Sequence, residues 1–173
     1  GSSESFVDVD ATSALKTLTV NATSDLTIEN VEFATTINAA DSTGEVTVDS
    51  AVAKVSVTGG SGNDTITMDH ASGSARVFTV NAGAGDDTVS LGVMALAADL
   101  TDNKVTVDGG EGEDTLGLDA AGAVALSALS ASNDAKKGST GFEKVSLNDA
   151  IASGTVDISQ IGVNYLLTPT DAA

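Results

Sequence analysis

The chain has 173 residues and a mass of 17.0 kDa. That is enough for one domain, or one segment of a repeat protein, able to bury roughly 70% of its unfolded surface. Aromatic residues make up 3% of it against 41% hydrophobic residues, so the core must be built from Val, Leu, Ile and Ala. With 25 acidic and 7 basic residues the formal charge is −18, which repels phosphate backbones and anionic lipid faces, and nucleic-acid binding is excluded. The absence of Cys removes disulfides, Cys-ligated zinc, iron–sulfur clusters and thiol nucleophiles.

From the N-terminus, Gly1-Ser2 reads as a cloning scar, so an address signal would lie outside this chain. Residues 1–54 read as strand-bearing coils without metal loops. Leu18-Thr19-Val20, Leu26-Thr27-Ile28 and Val46-Thr47-Val48 alternate apolar and polar residues, the period of a strand with one buried face. The turn Ala22-Thr23-Ser24-Asp25 has no glycine and is too short to wrap an ion.

Residues 55–119 repeat themselves. Val55 to Met68, Phe78 to Leu91 and Val105 to Leu118 are three copies of one pattern: strand, glycine turn, strand. Strand number alone would also suit a sandwich, but self-similarity at the interval of one coil points to a solenoid. If the copies stack, Val57, Val80 and Val107 form one inward ladder, Ile66, Val89 and Leu116 a second, and Met68, Leu91 and Leu118 a third. Thr65, Thr88 and Thr115 then make an outward row. The expected fold is all-β: a parallel β-helix or β-roll-like solenoid with short strands and a few helical or loop insertions.

The three turns are Gly59-Gly60-Ser61-Gly62-Asn63-Asp64, Ala82-Gly83-Ala84-Gly85-Asp86-Asp87 and Gly109-Gly110-Glu111-Gly112-Glu113-Asp114. Each fits, with Ala82 as the single departure, the nonapeptide G-G-x-G-x-D-x-U-x, where U is apolar, of calcium-binding β-helix repeats. Glycines let several carbonyl oxygens crowd together, and the acids add hard oxygen donors of the kind Ca²⁺ requires, six to eight of them at about 2.3 to 2.6 Å. Plain glycine turns would explain the glycines but not the acid fixed at position six. Alternate residues of an extended turn face opposite neighbours, positions one, three and five one way and two, four and six the other. Three loops in register then make two sandwiched Ca²⁺ sites, with half-complete faces outside the first and third loops. An EF-hand fails on register, because Glu113 would stand where that loop needs glycine. Magnesium suits the loops less, since it keeps its water and rigid octahedral geometry. No phosphate-cradling motif is present.

Beyond the repeats, residues 120–173 read as a loop or helix insertion followed by terminal strands. Val93 to Leu100 and the Ala/Ser/Leu-rich run from Asp119 to Gly138 suit short helices or ordered loops, and Lys136-Lys137-Gly138 a solvated turn. Val145-Ser146-Leu147 and Val156-Asp157-Ile158 alternate like strands, and Tyr165 to Ala173, with the only Pro at 169, reads as a fraying tail or linker. No apolar run approaches the ~18 residues of a membrane span, so no membrane insertion is expected. His70 is the only histidine, and with no nucleophile elbow or metalloprotease motif the chain is not expected to be an enzyme.

On these turns the chain resembles the RTX segment of bacterial proteins exported by type I secretion, over about Val55 to Leu118. Its Thr/Ala/Ser-rich, Cys-free texture is most similar to surface-layer proteins, and Asn30-Val31-Glu32-Phe33 and Gly141 to Leu147 are similar to their linking strands. The wide spacing of the loops argues against the tight two-sided β-roll and for an irregular one-sided β-helix. The resemblance implies an extracellular, cell-surface protein that folds in external calcium and self-associates into a lattice or homo-oligomer, with parts outside this chain touching cell-surface polysaccharide. The alternative it leaves open is an RTX adhesin, or a secretion and folding carrier for an attached enzyme or sugar-binding domain.

Overall fold

Period-two alternation with Val, Leu and Ile on one face can bury those residues only against a second sheet or another coil, and here it does both. The computed structural model describes residues 5–8, 16–31, 34–50, 52, 54–68, 77–91, 105–130 and 138–169. Its strands are all paired in parallel and fall into two sheets. The chain is an all-β, parallel β-solenoid.

One sheet contains β2 (Thr17–Thr19), β4 (Thr36–Asn38), β6 (Lys54–Thr58), β8 (Val77–Ala84), β10 (Val105–Glu111) and β12 (Ser139–Thr140). The other contains β1 (Ser5–Asp8), β3 (Leu26–Val31), β5 (Val46–Ser50), β7 (Thr65–Met68), β9 (Thr88–Leu91), β11 (Thr115–Leu118), β13 (Lys144–Leu147) and β14 (Tyr165–Leu167). Each coil from β2–β3 to β12–β13 gives one strand to each sheet, joined by a corner turn. The three glycine turns occupy consecutive corners on the same edge.

The inward ladders form as the pattern requires. Val57 pairs with Val80 and Val80 with Val107; Ile66 pairs with Val89 and Val89 with Leu116. Met68 pairs with Leu91, and Leu118 continues that stack to Leu147. All of these side chains are buried and form one core with Ile28, Val48 and Val145. The threonine row also forms and is longer than the repeats, running in register through Thr27, Thr47, Thr65, Thr88 and Thr115. Its members are half-buried, because each is flanked by the row above and below.

Three expectations are revised. The solenoid is one-sided only in its glycine turns: both sheets are continuous through the described strands, with one register shift between Ile28 and Val31 in the β3–β5 pair. Val156-Asp157-Ile158 is not a strand. Asp157 caps a helix instead, accepting from the Ser159 N–H at 3.0 Å, because an Asp side chain competes well for a helix's free first-turn donors. The expected insertion after Asp119 is the helix α1 (Ala120–Ser130), and the Asp157-capped turn is α2 (Ile158–Ile161). Tyr165 to Leu167 is not a fraying tail, since β14 pairs with β13 and sets half-buried Leu166 beside Val145. His70, Val93 to Leu100 and Lys136-Lys137 lie outside the described residues. No described helix is long and apolar enough to cross a membrane.

Candidate metal centre

The strand register stacks position six of every corner into a column. From the N-terminal side it reads Leu26, Val46, Asp64, Asp87, Asp114, Glu143 and Asn164, since neighbouring pairs such as Thr47 with Thr65, Thr65 with Thr88, Thr88 with Thr115 and Thr115 with Lys144 fix each step. Glu143 is half-buried and Asn164 exposed, whereas from Leu26 to Asp114 this column is buried in the solenoid. Leucine and valine belong there; carboxylates do so only if something compensates their lost hydration. Asp64 and Asp87 are 1% exposed and Asp114 is 0% exposed.

Backbone donors supply part of that compensation. Asp64 Oδ1 accepts from the Val46 N–H at 2.8 Å, Asp87 Oδ1 from the Asp64 N–H at 2.6 Å, and Asp114 Oδ1 from the Asp87 N–H at 2.8 Å. Glu143 Oε2 accepts from the Asp114 N–H at 2.8 Å. Position six therefore reaches to the preceding coil. Position five reaches the other way: Asn63 Oδ1 accepts from the Asp86 N–H at 2.9 Å, and Asp86 Oδ1 from the Glu113 N–H at 3.0 Å. Adjacent residues thus face opposite neighbours, as the turn pattern predicts, but one series is buried and the other exposed.

The same opposition holds for the glycines. A Cβ on Gly59 or Gly109 at position one would overlap a carbonyl oxygen of the following coil, that of Ala82 or Gly141. A Cβ on Gly60, Gly83 or Gly110 at position two would overlap a carbonyl oxygen of the preceding coil, that of Ser42, Gly60 or Gly83. Position three departs from the pattern: the Ser61 hydroxyl donates back to the Ser42 carbonyl of the preceding coil at 3.3 Å. Ser61 and Glu111 are exposed and Ala84 is half-buried, so these side chains lie outside the column.

The second oxygen of each aspartate separates the loops. In the first loop Asp64 Oδ2 accepts from the Gly60 N–H at 2.6 Å, so both its oxygens are satisfied by protein. In the second and third loops Asp87 Oδ2 and Asp114 Oδ2 are buried without any hydrogen-bond donor. The backbone at position two differs in parallel. Gly83 has φ +116° and Gly110 φ +106°, in the left-handed region, and Gly60 does not adopt a positive φ. The turn that keeps position two in ordinary backbone is the one whose N–H reaches its own aspartate. Among the described residues no three carboxylate or imidazole side chains gather around one point. A cation here would be held by one or two carboxylates together with loop carbonyls.

The electrostatics are those of a site short of positive charge. Burial pushes the Asp87 carboxyl up to about 6, opposed by the Asp64 N–H and reinforced by the charges of Asp64, Asp114 and Asp86. Burial likewise raises Asp114, opposed by the Asp87 N–H and reinforced by Glu143, Asp86 and Asp108. It also raises Asp64, against the N–H groups of Gly60 and Val46. Lys144 stands in the next coil but turns outward, with Nζ 3.0 Å from Glu113 Oε2 on the exposed face.

Glu143 is the member of the column that the repeat pattern misses. Its turn, Gly141-Phe142-Glu143, is three residues shorter than a nonapeptide corner, so no motif marks it. The signal was nevertheless present: Gly141-Phe142-Glu143-Lys144-Val145-Ser146-Leu147 matches Gly112-Glu113-Asp114-Thr115-Leu116-Gly117-Leu118 in glycine, acid and alternating apolar positions.

Compared with known proteins, the chain matches no family model, no curated protein and no solved structure.

Proposed function

We propose that the chain is a calcium-binding structural module of a secreted bacterial surface-layer protein, which folds and assembles into a cell-surface lattice as Ca²⁺ binds. The observation that carries the calcium reading is the pair of buried, donorless carboxylate oxygens on Asp87 and Asp114, in two successive glycine turns. An uncompensated buried charge is costly, and a cation bound among those oxygens relieves it. Ca²⁺ suits the donors, which are hard oxygens from single carboxylates and flexible carbonyl-bearing turns rather than a rigid octahedral cage. In this reading Asp87 and Asp114 each hold an ion, the glycine turns bring their carbonyls to it, and the ions' charge locks neighbouring corners together. The secreted, lattice-forming and type I export parts of the proposal rest on the resemblance of the loops and of the Thr/Ala/Ser-rich texture. They are supported by the −18 charge, which opposes compaction until cations neutralise it.

The test is to melt the purified chain in excess calcium and in excess chelator, and to image both samples. Calcium should raise the melting temperature and produce ordered assemblies. Superimposable melts would remove the calcium reading. A calcium-stabilised protein that stays monomeric and binds a glycan instead would favour an adhesin or carrier domain.

A further inference from the structure

The column of inward acids is one coil longer than the glycine repeats. We propose that Asp114, Glu143 and the Gly141 carbonyl form a cation site of their own, between the third loop and the short turn above it. This deepens the calcium reading and rests on it. The β10–β12 pairing of Asp108 with Thr140 sets Gly141 over Gly109, and the β11–β13 pairing of Thr115 with Lys144 sets Glu143 over Asp114. The unpartnered Asp114 Oδ2 and the Gly141 carbonyl oxygen flank one point above Gly109. A Cβ there would lie 2.7 Å from the carboxylate oxygen and would overlap the carbonyl. The two oxygens are therefore close neighbours over Gly109, where only glycine fits.

Glu143 brings the second charge. Its turn is short, and the longer side chain makes up the reach, so that Oε2 takes the Asp114 N–H at 2.8 Å. Asp108 lies beside the site but is engaged elsewhere, with Oδ1 accepting from the Thr140 hydroxyl at 3.0 Å. Lys144, the residue after Glu143, is held outside by Glu113, and among the described residues no hydrogen-bond donor reaches the buried Asp114 Oδ2. The third loop, the last in the repeat, thus has a complete upper face where the nonapeptide pattern alone leaves half a site.

The chain offers a reporter at this place. Tyr165 is its single tyrosine, there is no tryptophan, and Tyr165 pairs with Lys144, the residue after Glu143. Terbium in place of calcium should give tyrosine-sensitised emission from the wild type, lost in Glu143→Gln and in Tyr165→Phe. Calorimetry with calcium should count one ion fewer in Glu143→Gln and an unchanged number in Tyr165→Phe. A Glu143→Gln protein with the wild-type count and emission overturns the site. Should that variant fail to fold, wild-type protein saturated with terbium but without Tyr165-dependent emission overturns it equally. A wild type that takes up no calcium at all overturns the parent reading instead.

Discussion

The first glycine turn and the two that follow share a motif but not a state. Gly59 to Asp64 fits the nonapeptide better than Ala82 to Asp87 does, yet it is the turn whose aspartate is satisfied by protein alone, because Gly60 and Val46 donate to both oxygens of Asp64. The other two turns carry left-handed glycines and an orphaned oxygen each. The difference arises below them. The first loop rests on the coil of Ser42, where the Ser61 N–H and hydroxyl both bond the Ser42 carbonyl. The second and third rest on glycine loops of their own kind. A solenoid corner takes its shape from the corner beneath, so an identical motif means different chemistry at the start of an array and inside it.

The largest expected effect that would break this comparison is calcium dependence itself. Two ions, each near one hundred times its dissociation constant, stabilise by about 5 kcal/mol, which for a domain of this size is a shift of roughly 10 to 20 °C in Tm. Differential scanning calorimetry in calcium and in chelator measures it, and magnesium should recover little of the shift. Next comes a reversal of sign. In chelator, Asp87→Asn should raise stability by about 2 to 3 kcal/mol, since it removes a buried carboxylate whose pKa stands near 6. In calcium the same variant should lose an ion and fall below the wild type. Asp64→Asn should be destabilising in both conditions, because its amide nitrogen would face the Gly60 N–H that Oδ2 now accepts, outweighing relief of its burial-raised carboxyl. A common sign for the two variants in chelator would show that the loops are equivalent after all.

A pH titration in chelator sharpens the same point. The folded pKa of Asp87 is raised above its unfolded value, so the folded state holds a proton that the unfolded state has released. Stability of the metal-free protein should therefore fall as pH rises from about 4 to about 6, by about 3 kcal/mol from this group, and level off above. Most proteins gain stability over that interval through salt-bridged carboxylates. Saturating calcium should abolish the fall.

The smallest effect concerns position one. Ala82 lies within β8, just before the left-handed Gly83, with its side chain fully buried in the core, so alanine is accommodated there. Ala82→Gly should cost about 0.4 to 1 kcal/mol by loosening the unfolded chain. Gly59→Ala and Gly109→Ala should cost more, through overlap with the carbonyl of the following coil. A gain in Tm for Ala82→Gly would contradict this account of the corner.

The strands, their register and the inward ladders were legible because period two and the spacing of the copies are local signals. So was the opposite facing of Asp86 and Asp87. What could not be read was anything decided by the coil beneath: the ordinary backbone of Gly60, the self-capped Asp64, and the contrast with Gly83 and Gly110. Glu143 was hidden by a gap in the turn rather than by lack of pattern. Val156-Asp157-Ile158 misled because alternation over three residues does not outweigh an aspartate placed to cap a helix.

The two series of side-chain caps run in opposite directions along the stack, one mostly buried and one exposed. Asp64, Asp87, Asp114 and Glu143 each hold the coil before them, while Asn63 and Asp86 each hold the coil after. In a one-dimensional array, cooperativity is set by the coupling between neighbours, and a hydrogen bond to a charged acceptor adds about 1.5 to 3 kcal/mol to that coupling. The corners from Asp64 to Glu143 should consequently open as one block in amide hydrogen exchange. The coils carrying Leu26 and Val46 are joined to one another by the neutral Ser42 hydroxyl, which takes the Ala22 N–H at 2.9 Å, instead of by a carboxylate, and the Leu26 coil should open before that block.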